Sequence, residues 1–233
     1  VKRGAYESPT PIRTGAFPEV IKGREIRGLA RPGTGRTAAF VLPMLQRLMT
    51  GPRRQVRAVI VAPTRELAEQ INENIRELGR QTGLRSVVVY GGVGKGGQLQ
   101  MFRSGVEIIV ACPGRLLDHL DSRALRLDAV EMLVLDEADM MFDMGFINDM
   151  RYVIERLPAE RHGLFFSATM SPKIEEVAQR FLTNPIRVEV ETQKTADNVA
   201  QDIVRINGGS KIELLHDLLI QEEFTKVLVF GRT

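Results

Sequence analysis

The chain has 233 residues, of which 43% are hydrophobic, with 32 Lys and Arg against 29 Asp and Glu. That is ample for one buried core and little for two full domains, and the net charge of +3 is compatible with a polyanionic partner without requiring one. No apolar run approaches the roughly 20 residues of a membrane span, the opening VKRGAYESP carries no apolar signal core, and the single cysteine, Cys112, excludes an internal disulfide and fits a reducing, cytoplasmic setting.

His119, His162 and His216 are scattered, so no metal cluster is expected from them. The first residue is Val1 and the last three follow directly on a predicted strand, so both ends are expected to be cut.

In chain order, apolar strand-like runs alternate with amphipathic helix-like ones, which predicts a parallel sheet wrapped by helices. The predicted strands are Glu25 to Ala30, Val56 to Ala62, Ser86 to Tyr90, Val106 to Ala111, Val130 to Leu135, Leu164 to Phe166 and Ile186 to Val190. The helix after the second is the clearest, since Leu67, Ile71, Ile75 and Leu78 recur at helical spacing from Arg65 onward. There is no internal repeat and no low-complexity tract.

The first chemical stretch is Ala30-Arg31-Pro32-Gly33-Thr34-Gly35-Arg36-Thr37, between a strand and a helical run. Its glycines let backbone N–H groups approach a phosphate, the helix N-terminus adds its dipole, and the Thr37 hydroxyl is placed to ligate Mg²⁺. It is nearly a P-loop, with Ala30 for the first glycine and Arg36 for the lysine. A strand-to-helix turn with no ligand is the alternative. Thr64 and Arg65 in PTRELA offer a hydroxyl, a guanidinium and free amides at a helix start, which suits a phosphate or a plain helix cap. Gly91-Gly92 and Pro113-Gly114-Arg115 follow the third and fourth strands, and the three loops together make a possible track for a phosphate backbone.

The strongest single stretch is Glu131 to Asp143. Met132 to Leu135 suit a strand buried on both faces, and Asp136, Glu137 and Asp139 stand at its carboxyl end, where open α/β sheets bind ligands. Carboxylates there can hold a hydrated cation and orient a water; an acidic strand-to-helix turn is the plain alternative. Ser167 and Thr169 follow the next strand, able either to bond Asp139 or to cap the helix beginning near Pro172.

Taken in order, YESPTPIR (Tyr6 to Arg13), ARPGTGRT, PTRELA, GG, PGR, DEAD, SAT and a terminal VLVFGRT (Val227 to Thr233) resemble the signposts of the amino-terminal RecA-like domain of DEAD-box RNA helicases, over nearly the whole chain. The resemblance implies an α/β fold of the P-loop NTPase kind, a RecA-like parallel sheet flanked by helices, with a truncated piece of a second RecA-like domain. It implies ATP and Mg²⁺ as cofactors, RNA as partner, and RNA-stimulated ATP hydrolysis coupled to local duplex separation. By position, Tyr6, Arg13 and residues 30–37 would hold the nucleotide, Asp136 would organise the Mg²⁺ shell, and Glu137 would position or deprotonate the water. Ser167 and Thr169 would link Asp139 to RNA-dependent closure. Thr64, Arg65, Gly91, Gly92, Pro113, Gly114 and Arg115 would line an RNA track that carries little sequence information.

Several residues depart from that pattern. Arg13 stands where the family has a glutamine, and a guanidinium, having donors only, suits the acceptors of guanine better than the mixed edge of adenine. Arg36 is bulkier and planar where a lysine is expected, and losing one well-placed donor in such a site costs on the order of 10² to 10³ in rate. Pro32 removes one loop N–H, Cys112 replaces a threonine, Met140 replaces a common arginine, and Arg27 in a buried strand has no explanation in the sequence. The expected layout is a domain over 1–190, a linker over 191–200 and the start of a second domain over 201–233, with predicted strands at Gln201 to Ile206 and Val227 to Phe230 around a helix at Lys211 to Ile220. The family's arginine-bearing motif lies outside this chain, so the chain alone is expected to unwind essentially nothing, and its incomplete remnant to favour self-association. The alternative is an RNA-binding or scaffold protein on the same fold whose altered phosphate loop has removed turnover.

Overall fold

The structure is a computed structural model that describes residues 9–190, 200, 202–206, 208–221 and 224–231. The chain divides into two units, residues 1–192 and 193–233.

In the first unit all seven expected strands form: β1 (Ile26–Leu29), β2 (Ala58–Val61), β3 (Ser86–Val89), β4 (Ile108–Ala111), β5 (Met132–Leu135), β6 (His162–Ser167) and β7 (Ile186–Glu189). They make one parallel sheet in the order β3-β4-β2-β5-β6-β1-β7. Its helices are α1 (Pro11–Ile21), α2 (Arg36–Leu48), α3 (Arg65–Leu78), α4 (Lys95–Ser104), α5 (Pro113–Asp121), α6 (Ala138–Asp143), α7 (Ile147–Glu155) and α8 (Pro172–Phe181).

Strands β2, β4 and β5 are apolar at every position because both faces are covered. From β2, Ala58 and Ile60 pack with Ile12, Phe40, Met44, Ile71 and Ile75 of α1 to α3. Val59 and Val61 point the other way, toward Leu116, Val153, Ile174 and Phe181 of α5, α7 and α8. The same alternation runs through β4 and β5, as the two-residue period of a strand requires. Gly28 is the one gap in β1: a Cβ there would overlap the Phe166 ring of β6, so only glycine lets the two strands pair at this point.

Arg27, unexplained in the sequence, projects from β1 onto α8, where its Nη1 donates to Glu175 Oε1. Arg57 is matched in the same way at the amino edge of the sheet, with its Nε 2.6 Å from Glu131 Oε1 and its Nη1 2.9 Å from the Leu48 carbonyl. Buried cations in this unit are thus tied to acids on neighbouring elements, the arrangement in which burying charge is tolerable.

In residues 193–233 the expected helix forms as α9 (Lys211–Leu219), capped by Ser210, whose hydroxyl accepts from Ile212 N at 3.2 Å. The two strands expected around it do not: among the described residues, 202–206 and 227–230 are irregular. Their side chains are β-favouring, but a strand needs an edge to pair with, and the described residues of this unit include no sheet. Ile203, Ile212, Leu228 and Phe230 are each more than three-quarters exposed. Of the expected linker over 191–200, only Ala200 falls among the described residues.

Candidate active site

Because every strand of the sheet is parallel, every strand-to-helix loop leaves from the same edge, and the sheet order decides which loops are neighbours. β5, β6 and β1 lie side by side, so the acid turn at 136–139, the Ser167–Thr169 loop and the phosphate-type loop at 30–37 are adjacent. β3, β4 and β2 lie next to them and carry Gly91-Gly92, Pro113-Gly114-Arg115 and Thr64-Arg65. Six stretches scattered over about 140 residues of sequence therefore form one continuous rim.

In the loop after β1, Gly33 and Gly35 take left-handed φ values of +82° and +86°. Gly35 is doubly constrained, since a Cβ on it would also lie 2.8 Å from Thr10 Oγ1 and 2.9 Å from Arg13 Nε. α2 then starts at Arg36 with no side-chain cap, leaving its first amide N–H groups to other partners. Thr34 Oγ1 is turned back onto the Arg31 carbonyl at 2.8 Å. Ala30 is fully buried and its N–H donates to the Ser167 carbonyl at 3.0 Å, which fixes the root of the loop to the end of β6.

The acid turn meets this loop through Arg36. The guanidinium is 4% exposed, and each of its three nitrogens has a partner: Nε at 2.7 Å from Asp136 Oδ1, Nη2 at 2.9 Å from Glu137 Oε1, and Nη1 at 3.0 Å from the Ala30 carbonyl. Asp136 is wholly buried, and that burial pushes its carboxyl up to about 6 against the opposing pull of Arg36. Glu137 sits at φ +55°, an uncommon conformation for a side-chain-bearing residue, which turns its carboxylate toward Arg36. What remains for a metal is oxygen chemistry of the kind Mg²⁺ prefers: Asp136 Oδ2, buried without a hydrogen-bond partner, and the half-buried Thr37 in the first turn of α2. These fit the group, subject to Arg36 holding the other carboxylate oxygen; among the described residues no set of three or more His, Cys, Asp or Glu gathers to hold a metal.

Asp139, one turn further along, is bound by the loop after β6. Its Oδ2 accepts from Thr169 N at 2.9 Å and Thr169 Oγ1 at 3.0 Å, and its own N–H donates to Ser167 Oγ at 3.3 Å. Burial raises the Asp139 carboxyl, but the hydrogen bonds from Thr169 and the neighbouring groups outweigh it and leave the group below the usual carboxylate range. Ser167 Oγ in turn donates to the Thr169 carbonyl at 2.7 Å. The helix after it is capped by Ser171 instead, whose Oγ accepts from Ile174 N, so Ser167 and Thr169 are not its caps.

Along the other half of the rim, Thr64 is the N-cap of α3, its Oγ1 accepting from Leu67 N at 3.2 Å. Arg65 is exposed and lies over the Tyr90 ring at 4.5 Å. Gly91, Gly92 and Gly114 are exposed with open space where a Cβ would be, so a chain can approach their backbone. Pro113 is buried at the first turn of α5, and Arg115 is partly committed, with Nη1 2.9 Å from the Val93 carbonyl and Nε 3.4 Å from Asp118. Cys112, the cap residue of α5, is half-buried, and burial pushes its thiol up to about 11, so it faces the rim as a neutral group.

Arg13 lies on α1 with its Nε 3.0 Å from Thr10 Oγ1, close against Gly35 and so beside the phosphate-type loop. Tyr6 lies outside the described residues. The arginine bridge from Arg36 to both acids is what sequence reasoning missed: the substitution itself was visible, but its partners stand 100 and 101 residues away.

Residues 10–177 match the DEAD/DEAH box helicase family. The chain is 38% identical over its whole length to the DEAD-box ATP-dependent RNA helicase CshA of Bacillus licheniformis and 40% identical to the ATP-dependent RNA helicase CshA of Listeria monocytogenes, covering 48% and 45% of those proteins. It thus spans about half the length of the curated relatives it matches. Among solved structures it resembles a hypothetical ATP-dependent RNA helicase from Sulfolobus tokodaii (TM-score 0.73, 33% identity, 80% of this chain and 54% of that one) and the yeast DEAD-box splicing factor Prp28 (TM-score 0.79, 31% identity, 84% and 48%). With a parallel sheet carrying those loops at one edge and a family match over most of its length, the chain belongs to the DEAD/DEAH box helicases.

Proposed function

We propose that the chain is the nucleotide-binding half of an ATP-dependent RNA helicase, in which RNA-stimulated ATP hydrolysis drives local separation of an RNA duplex. The observation that carries this reading is the meeting of the 30–37 loop with Asp136 and Glu137 beside an Asp139 already tied to Thr169. In it, residues 30–37 and the uncapped N-terminus of α2 bind the triphosphate, Tyr6 and Arg13 serve the base, and Thr37 and Asp136 would hold a Mg²⁺, which would supply charge neutralisation at the phosphates. Glu137 orients the attacking water and accepts its proton. Ser167 and Thr169 transmit the state of Asp139 toward the loops at Thr64, Arg65, Gly91, Gly92, Pro113, Gly114 and Arg115, which take the RNA backbone.

The second reading, an RNA-binding protein of the same fold with impaired turnover, is favoured by one observation: Arg36 is fully engaged with the acids and the Ala30 carbonyl instead of being free for phosphate. Titration with a fluorescent ATP analogue, competed by unlabelled ATP, tests the shared part of both readings, and absence of saturable binding would overturn both. Phosphate release with and without RNA, in a chain continued through a second half like that of its relatives, separates them: stimulation supports the helicase, and bound RNA without stimulation supports the second reading.

The layout proposed with this reading is a domain over 1–190, a linker over 191–200 and the beginning of a second RecA-like domain over 201–233. The exposed Ile203, Leu228 and Phe230 support self-association through that last part, to be checked by light scattering against a chain ending at Val190. Among the described residues no helix is long and apolar enough to cross a membrane, and a cytoplasmic location is proposed from the single cysteine, Cys112.

A further inference from the structure

Lysine presents its donors from one compact atom, whereas a guanidinium is a rigid fork that can bridge separated acceptors. Arg36 uses that fork fully, with Nε on Asp136 Oδ1, Nη2 on Glu137 Oε1 and Nη1 on the Ala30 carbonyl. Arg36 and Asp136 are both buried, so their attraction is little screened by salt. Among the described residues no other Lys or Arg pairs with either acid. A divalent metal reaching Asp136 would therefore meet a carboxylate that is already neutralised, next to a cation that repels it.

We infer that Arg36 is a resident counter-cation of the acid turn, which holds the site shut to divalent metal and yields it when the guanidinium moves to a nucleotide's phosphates. The second half of this statement rests on the nucleotide-binding reading; the first does not. Arg36 thereby acts as a positioning residue: it decides when Asp136 Oδ1 becomes available, and makes metal and nucleotide binding reciprocal through the same side chain.

Mn²⁺ is the probe, its free concentration followed by electron paramagnetic resonance in titrations without nucleotide. Wild type should take it up weakly. Arg36→Gln, which removes the charge, should bind one Mn²⁺ more tightly by on the order of 10-fold or more, and the double variant Arg36→Gln with Asp136→Asn should lose that gain. Arg36→Lys, which keeps a charge but cannot span both acids, should fall between them and carries the comparison if Arg36→Gln does not fold by circular dichroism. Equal affinity in wild type and variants, or a gain that survives Asp136→Asn, overturns the inference. So does tight stoichiometric Mn²⁺ uptake by nucleotide-free wild type, whatever the variants do. Adding a non-hydrolysable ATP analogue should raise Mn²⁺ affinity more in wild type than in Arg36→Gln. A flat response in both, beside a persisting nucleotide-free difference, overturns the nucleotide reading and leaves the counter-cation standing.

Discussion

Replacing Glu175 with glutamine keeps its shape and removes its charge, leaving the Arg27 guanidinium buried on β1 with no anion against it among the described residues. Arg27 is 7% exposed, and Arg187, which lies 3.6 Å from the same Glu175 oxygen, adds positive charge. Breaking a fully buried pair costs about 3–5 kcal/mol. Glu175 is 26% exposed, so water reaches the site and the expected loss falls to about 2–3 kcal/mol. With a urea m-value of about 2 kcal/mol/M, the midpoint should drop by about 1–1.5 M at unchanged m. Substituting leucine at both Arg27 and Glu175 should recover most of that loss, since a buried ion pair exchanged for packed apolar groups is close to neutral. A midpoint within about 0.25 M of wild type for Glu175→Gln, or a double variant as weak as the single one, would refute the reasoning. The pair matters to the site because it clamps β1, which delivers residues 30–37, to α8, which follows Ser167 to Thr169.

Gly35→Ala should weaken binding of a fluorescent nucleotide on the order of 10-fold, because the residue needs φ +86° and a Cβ would strike Thr10 and Arg13; unchanged affinity would remove this loop from the site. Arg13→Gln should raise the preference for ATP over GTP in competition titrations, since an amide can both donate to and accept from adenine; equal preference in both proteins would show that Arg13 does not meet the base. His119 and His162 are buried, and burial lowers the pKa of each below its usual 6.5, aided at His119 by Arg115 and Lys95. The unfolded chain therefore binds protons first, so their contribution is complete above pH 6.5 and declines as the pH falls through that value. Asp136, raised to about 6, acts in the opposite sense as the pH drops. The histidine effect is accordingly read as the difference between wild type and His162→Gln in urea midpoints at pH 7.5 and 5.5, and parallel changes in the two would contradict it.

Local pattern alone determined the seven strands of residues 1–190, the amphipathic helix from Arg65 and the identity of every rim loop, because burial on both faces writes continuous apolar runs and turn chemistry writes Gly, Pro and capping residues between them. Residues 193–233 show where that logic stops: the described 202–206 and 227–230 have strand-like side chains and no strand, since pairing depends on a neighbour and not on propensity. Two charged residues make the same point inside the core. Arg27 is explicable only by Glu175 on α8, and Arg36 only by Asp136 and Glu137, partners at separations of 100 residues or more that no periodicity encodes. Spatial order was decided by the tertiary structure as well. Crossover connections place β6 between β5 and β1, so Ser167 can hold Ala30 on one side and Asp139 on the other, a contact set that arises from strand pairing and leaves no trace in the linear chain.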